Sequence, residues 1–298
     1  MITKHTLGFV PRRPPTPDFL TITFRNMTSH ETTDALAINL DLKGRRALVG
    51  GASKGIGKAC ASVLAAMGAN VTVMARNAAS LQQVVSSLPV RDGQQHWVLE
   101  ADVQRPDELC QRVENHVETA GGFHIVINNT AGPAAGNIVE SSVSQLSQTF
   151  ADHVLLSHRL MLILRGYMVD SGWGRVINII STSVKSPLEG LGVSNTVRGA
   201  MASWSKTLAT ELAPYGITVN SVLPGATATE RLASIIDRKA QGRSVAEVEA
   251  EMLAEIPMGR FAKPEEIAAA VGFLASPAAG YITGTSILVD GGRTRALS

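Results

Sequence analysis

From residue 42 onward, short runs rich in aliphatic and β-branched residues alternate with longer amphipathic stretches. The runs are 46–50, 71–75, 96–101, 125–128, 175–180, 218–223 and 286–289. Continuous apolar runs of this length suit strands buried on both faces, and parallel neighbours are joined only through long crossovers. The pattern therefore predicts seven strands and six crossovers in a doubly wound α/β arrangement, a parallel sheet with helices on both faces. Between the first two runs, Ile56, Cys60, Val63, Leu64 and Met67 recur at helical spacing, and Gly68 offers a C-terminal stop. In 200–212, Met201, Trp204, Leu208 and Leu212 form one stripe, which reads as a packed core or a subunit face. Residues 226–257 are polar and helix-prone, and long enough to cover a cleft as a mobile lid.

Residues 1–40 break this pattern. Pro11-Arg12-Arg13-Pro14-Pro15-Thr16-Pro17 suits neither a helix nor a paired strand, so the segment reads as an extended or disordered arm before a single domain over 41–298. Lys4, Arg12, Arg13 and Arg25 outnumber Asp18 before Met27, which leaves two readings open. One is a targeting or partner-binding arm; the other is a tail, or an upstream start with Met27 as the natural beginning.

Composition narrows the partners. Apolar residues make up 45% of the 298 and charged residues 17%, with a net charge of +2, so a large core is expected and nucleic acid or an anionic membrane is not. No apolar run reaches the length of a membrane span. Cys60 and Cys110 have no partner at metal-ligand spacing, so neither a metal site nor a disulfide framework is expected, and a reducing, cytoplasmic setting follows. Small molecules and other protein chains remain as partners.

The chemistry begins at Gly50-Gly51-Ala52-Ser53-Lys54-Gly55-Ile56-Gly57, where glycines come directly after a predicted strand and directly before a predicted helix. Glycine permits a tight turn and close backbone approach, and the helix N-terminus presents free N–H groups to a pyrophosphate. This is the dinucleotide-binding arrangement of a Rossmann-type domain. At the end of the second strand, an acid would bind a ribose 2'-hydroxyl, but the sequence has Ala75-Arg76-Asn77. Lys54 and Arg76 together suit a 2'-phosphate, so NADP(H) is expected over NAD(H).

With these motifs, 42–292 resembles the short-chain dehydrogenase/reductase family, in particular its 3-oxoacyl-acyl-carrier-protein reductases. The resemblance rests on the glycine turn, Asp102-Val103, Asn128-Asn129-Thr130-Ala131, Pro224-Gly225-Ala226-Thr227-Ala228-Thr229, Gly259-Arg260-Phe261 and Val289-Asp290-Gly291-Gly292. It implies adenine contact at Asp102 and Val103. It also implies cofactor contacts at Gly51, Ser53, Lys54, Gly55, Ile56, Gly57, Arg76, Asn77, Asn129, Thr130, Ala131, Pro224, Gly225, Thr227 and Thr229. A homo-oligomer, dimer or tetramer, is the expected assembly, with a hetero-oligomer as the alternative.

The family's proton-transfer set is rewritten. Its serine is retained as Ser181, but its tyrosine and lysine positions fall on Ser194 and Arg198, and its helical asparagine on His153. A phenol titrates near 10 and a neighbouring cation brings it towards working pH, whereas an aliphatic hydroxyl has no such range. Arg198 keeps a positive charge one helical turn from Ser194 and can hold ribose hydroxyls. His153 is a candidate proton donor because imidazole titrates near neutrality; the other reading is a hydrogen-bonded histidine in a structural asparagine's place. Two functions are therefore open. One is an NADP(H)-dependent oxidoreductase of a carbonyl or secondary alcohol, for which the resemblance suggests a 3-oxoacyl thioester, with Ser181 orienting the oxygen. The other is a cofactor-binding subunit with impaired turnover.

Overall fold

The computed structural model describes residues 38–91 and 93–297, and in it the alternating runs become one sheet. The strands are β1 (Arg46–Gly50), β2 (Asn70–Ala75), β3 (His96–Glu100), β4 (Ile125–Asn128), β5 (Gly174–Ile179), β6 (Ile217–Pro224) and β7 (Ser286–Val289). They lie in the order β3-β2-β1-β4-β5-β6-β7, every pair parallel. The seven expected strands are thus present, their ends displaced by no more than one residue. The residues from Asn39 onward cluster as one unit. The expected arm falls almost entirely on 1–37, outside the described residues.

Side-chain alternation divides the core. Ala47, Val49, Val71 and Val73 face Cys60 and Leu64 of α1 (Gly55–Ala66), Leu81 of α2 (Ala78–Ser87) and Val271 of α9 (Pro264–Ala275). Leu48, Met74, Val126 and Val176 point the other way, onto α3 (Pro106–Ala120), α5 (Leu156–Asp170) and α6 (Gly192–Leu212). Successive residues of a strand alternate in this way by geometry, so apolar side chains at every position require helices on both sides. Met201 and Leu212 are buried in this packing, with Trp204 and Leu208 partly so; within the chain the α6 stripe is core.

The 226–257 segment folds as α7 (Glu230–Lys239) and α8 (Val245–Ala254). Leu232, Ile236, Val248 and Met252 join these helices in a small cluster of their own, apart from the two main cores. No helix among the described residues is long and apolar enough to cross a membrane.

The strand order fixes where a ligand can sit. The chain leaves β1 towards β2 and β3, then crosses back to β4 on β1's other side. Crossovers diverge at that point, which opens a crevice beyond the C-terminal ends of β1 and β4.

Candidate active site

The turn after β1 sits in that crevice. Gly51 and Gly55 adopt φ of 57° and 56°, the left-handed region that favours glycine. Gly57 answers to packing instead, since a Cβ there would stand 2.2 Å from the Gly51 carbonyl oxygen. The Asn129 amide reaches over from the end of β4 and donates to the Gly50 carbonyl at 3.1 Å, fixing the turn. No side chain caps the start of α1, where Lys54 is extended, so the first-turn N–H groups are left for an anion. These features fit a dinucleotide's pyrophosphate.

A cleft of about 1870 Å³ runs from this turn across the ends of β4, β5 and β6. It is lined by Gly51, Ser53, Lys54, Gly55, Ile56, Arg76, Asn77, Val103, Asn129, Thr130, Ala131, Pro224, Gly225, Thr227 and Thr229, together with His153, Ser181, Ser194 and Arg198. Two expected contacts fall outside the lining. Gly57 is spent on the tight approach to Gly51, and the Asp102 carboxylate accepts from the Gln104 N–H at 3.1 Å, pinning its own turn. Only Val103 of that pair faces the cleft.

The residues expected at the 2'-phosphate differ in availability. Arg76 is exposed and has no ion pair among the described residues, whereas Lys54 pairs with Glu230 at the start of α7. Asn77 caps α2, its side chain accepting from the Ser80 N–H at 2.8 Å.

The positions expected to carry the chemistry line the same cleft. Ser181 follows β5, half-buried, its hydroxyl accepting from the Ser183 N–H at 3.1 Å. Ser194 and Arg198 project from successive turns of α6. Arg198 is buried and donates from Nη1 to the Ile179 carbonyl at 2.8 Å. Burial, then the charge of Arg231, pull its guanidinium down to about 10, which leaves it cationic at neutral pH. Beneath it, an amide ladder ties three elements: Asn128 donates to Asn178 at 2.7 Å, and Asn178 to Ser205 of α6 at 2.7 Å.

His153 occupies a single π turn, Ala151–Leu155, between α4 (Val143–Phe150) and α5. Such turns are frequent at functional sites. Its ring is 4% exposed, and burial, then the Arg198 charge, push it down to about 3, against an opposing contribution from the Ala131 main chain. The near-neutral titration expected from sequence is thereby corrected, because a buried imidazole beside a guanidinium stays neutral. Its Nδ1 lies 2.6 Å from the Thr130 hydroxyl. Thr130 and His153, from the end of β4 and the π turn, thus touch each other. Tyr167, Tyr215 and Tyr281 are absent from the lining.

The structure adds two residues that the sequence left unnoticed. Arg231 and Arg238 of α7 reach over to the loop after β4, where they donate to the Pro133 carbonyl at 2.6 Å and the Ala135 carbonyl at 3.2 Å. Their sequence signal was a seven-residue spacing on one helix face, hidden in a segment that reads as generally polar.

A family model described as enoyl-(acyl carrier protein) reductase matches residues 51–294. The short-chain reductase protein NovJ of Streptomyces niveus is 34% identical over 250 residues, 83% of this chain and 93% of that protein. The 3-oxoacyl-[acyl-carrier-protein] reductase of Vibrio cholerae is 33% identical over 259 residues, 85% and 98% of the two chains. Among solved structures, L-sorbose reductase from Gluconobacter frateurii, complexed with NADPH and L-sorbose, superposes with a TM-score of 0.81 at 30% identity, over 87% of this chain and all of that one.

Proposed function

The chain belongs to the short-chain dehydrogenase/reductase family, and on that basis we propose an NADP(H)-dependent oxidoreductase that interconverts a carbonyl and a secondary alcohol with an altered proton-delivery set. The observation that carries this reading is the uncapped, glycine-lined α1 N-terminus opening into the same cleft as Ser181 and Arg198. Arg76, exposed and without an ion pair among the described residues, supplies the forked cation that a 2'-phosphate needs. The NADPH complex of the related L-sorbose reductase agrees with that choice.

Bound NADPH supplies the hydride. The Ser181 hydroxyl orients the substrate oxygen, and the Arg198 cation holds ribose hydroxyls and stabilises negative charge developing nearby. Reduction still needs a proton at that oxygen. Ser194 is too weak an acid to release one, and His153, neutral, offers no imidazolium. Water in the open cleft, whose lining includes Thr130 and His153, is the remaining proton source. A missing positioned acid slows such a reaction about 10²- to 10⁴-fold without abolishing it. A 3-oxoacyl thioester is one substrate of this class, and relatives that reduce 3-oxoacyl carriers favour it.

The replacements at Ser194, Arg198 and His153 motivate a second reading, a cofactor-binding subunit of a homo- or hetero-oligomer that contributes little turnover itself. Two measurements on the purified chain separate the readings: NADPH binding by fluorescence, and NADPH oxidation against a panel of carbonyls. Binding with slow oxidation supports the enzyme; binding with none supports the subunit. Light scattering reads the assembly, and a monomer rules out the oligomer.

A further inference from the structure

Three cations crowd the substrate side of the cleft without counter-ions. Arg198, Arg231 and Arg238 all line it, and each donates to a main-chain carbonyl. None forms an ion pair among the described residues. Of the acids in the lining, Glu230 is paired with Lys54 and Glu255 with Arg293, while Glu140, Asp152 and Glu189 form no ion pair with these arginines. The guanidiniums feel one another: after burial, the Arg231 charge is what most lowers Arg198, and the Arg238 charge what most lowers Arg231. Like charges gathered in a partly buried wall are unfavourable unless an anion joins them.

The geometry leaves room for that anion. A Cβ built on Gly132 would stand 3.3 Å from an Nη of Arg231 and 3.8 Å from an Nη of Arg198. Two guanidiniums therefore converge on the open face of Gly132, and all three residues line the cleft. Two nitrogens so placed are within the span that one carboxylate bridges with its two oxygens. The point beside Gly132 lies among residues expected to touch the cofactor, Ala131, Thr229 and Arg198, so NADP+ affinity is to be read beside acid affinity.

We propose that the substrate is an oxo acid, or the corresponding hydroxy acid, whose carboxylate is held between Arg231 and Arg198 beside Gly132, with Arg238 adding attraction from the next turns of α7. The proposal rests on the oxidoreductase reading for the carbonyl, while the carboxylate site stands on the arginines alone. Because Arg231 and Arg238 belong to α7, the anion also ties this helix to the loop after β4 and closes the cleft around the carbonyl.

The test uses the full chain saturated with NADP+, so that binding is read without turnover. Titration calorimetry compares 2-oxopentanoate, 4-oxopentanoate and 5-oxohexanoate with their methyl esters, which lack the charge. At least one acid is expected to bind roughly 10-fold or more tighter than its ester. Arg231→Gln weakens that acid about 10- to 100-fold and its ester less than about twofold, Arg231→Lys recovers part of the loss, and NADP+ affinity stays within about twofold. Equal binding of acids and esters throughout the series overturns the proposal. So does an Arg231→Gln effect on NADP+ in place of the acid, which would assign the arginines to a cofactor phosphate. Preferential acid binding without oxidation of NADPH leaves the anion site standing and removes the oxidoreductase reading; turnover of the esters without acid preference does the reverse.

Discussion

The two ends of the cleft are built on different principles. Around α1 the ligand-facing groups are main-chain N–H donors, held by Gly51, Gly55 and the close approach of Gly57. Across β4, β5 and α6 they are side chains: Thr130, His153, Ser181, Ser194 and Arg198. Main-chain groups can be repositioned only by changing the fold, whereas side chains change one codon at a time. The resemblance to the family accordingly rests on the glycine turn at one end, while the departures expected from sequence, Ser194 and Arg198, fall at the other.

The largest effect expected is at the chemical end. Ser194→Tyr with Arg198→Lys restores a phenol beside an ammonium, and should raise kcat for neutral carbonyls about 10²- to 10⁴-fold in steady-state assays. NADPH affinity should move less than about threefold; a larger change would mean the two ends are coupled. At the cofactor end, Gly57→Ala drives a methyl into the Gly51 carbonyl, where neither main chain can yield cheaply. NADPH affinity should fall on the order of a hundredfold by fluorescence titration, since the turn must open to admit the methyl. Arg76→Ala is a finer cut: NADPH binding weakens about 10- to 30-fold and NADH binding less than about twofold, because only the former carries the 2'-phosphate. Equal losses would place Arg76 elsewhere than at that phosphate.

The smallest effect is on stability. His153 titrates at about 3 in the fold, below its ordinary value near 6.5, so between those limits the unfolded chain binds a proton that the native chain refuses. Stability is therefore lost as pH falls through that window. His124, pushed down to about 4 by burial, then by Arg45 and Arg46, contributes in the same sense. Burial, then Arg46, lowers His116 as well, and His153→Asn removes one of these contributions and should spare on the order of 2 kcal/mol of the loss between pH 7 and pH 5 in urea melts. An unchanged acid slope would mean that His153 is protonated in the native state.

The same contrast explains what was legible in the sequence. The strands, the glycine turn and the uncapped helix after it are local patterns, and local patterns can be read along one dimension. Placing Ser194 and Arg198 needed only the count from neighbouring motifs. His153 was noticed, but its protonation was not, since that depends on burial and on Arg198, 45 residues away in sequence and adjacent only in the fold. The contact between Thr130 and His153 was hidden for the same reason. Arg231 and Arg238 went unnoticed in a segment that reads as polar, because their role depends on α7 reaching the loop after β4.

The account turns on whether bound cofactor is used by the unmodified chain. The direct measurement is a single-turnover experiment in which the NADPH-loaded protein is mixed with an excess of oxo acid and nicotinamide absorbance is followed. Slow but complete oxidation, about 10²- to 10⁴-fold below the rate of the Ser194→Tyr and Arg198→Lys protein with a neutral carbonyl, is the predicted result. NADPH that stays bound and unoxidised with every oxo acid and every neutral carbonyl, and is consumed only after that double substitution, would contradict it.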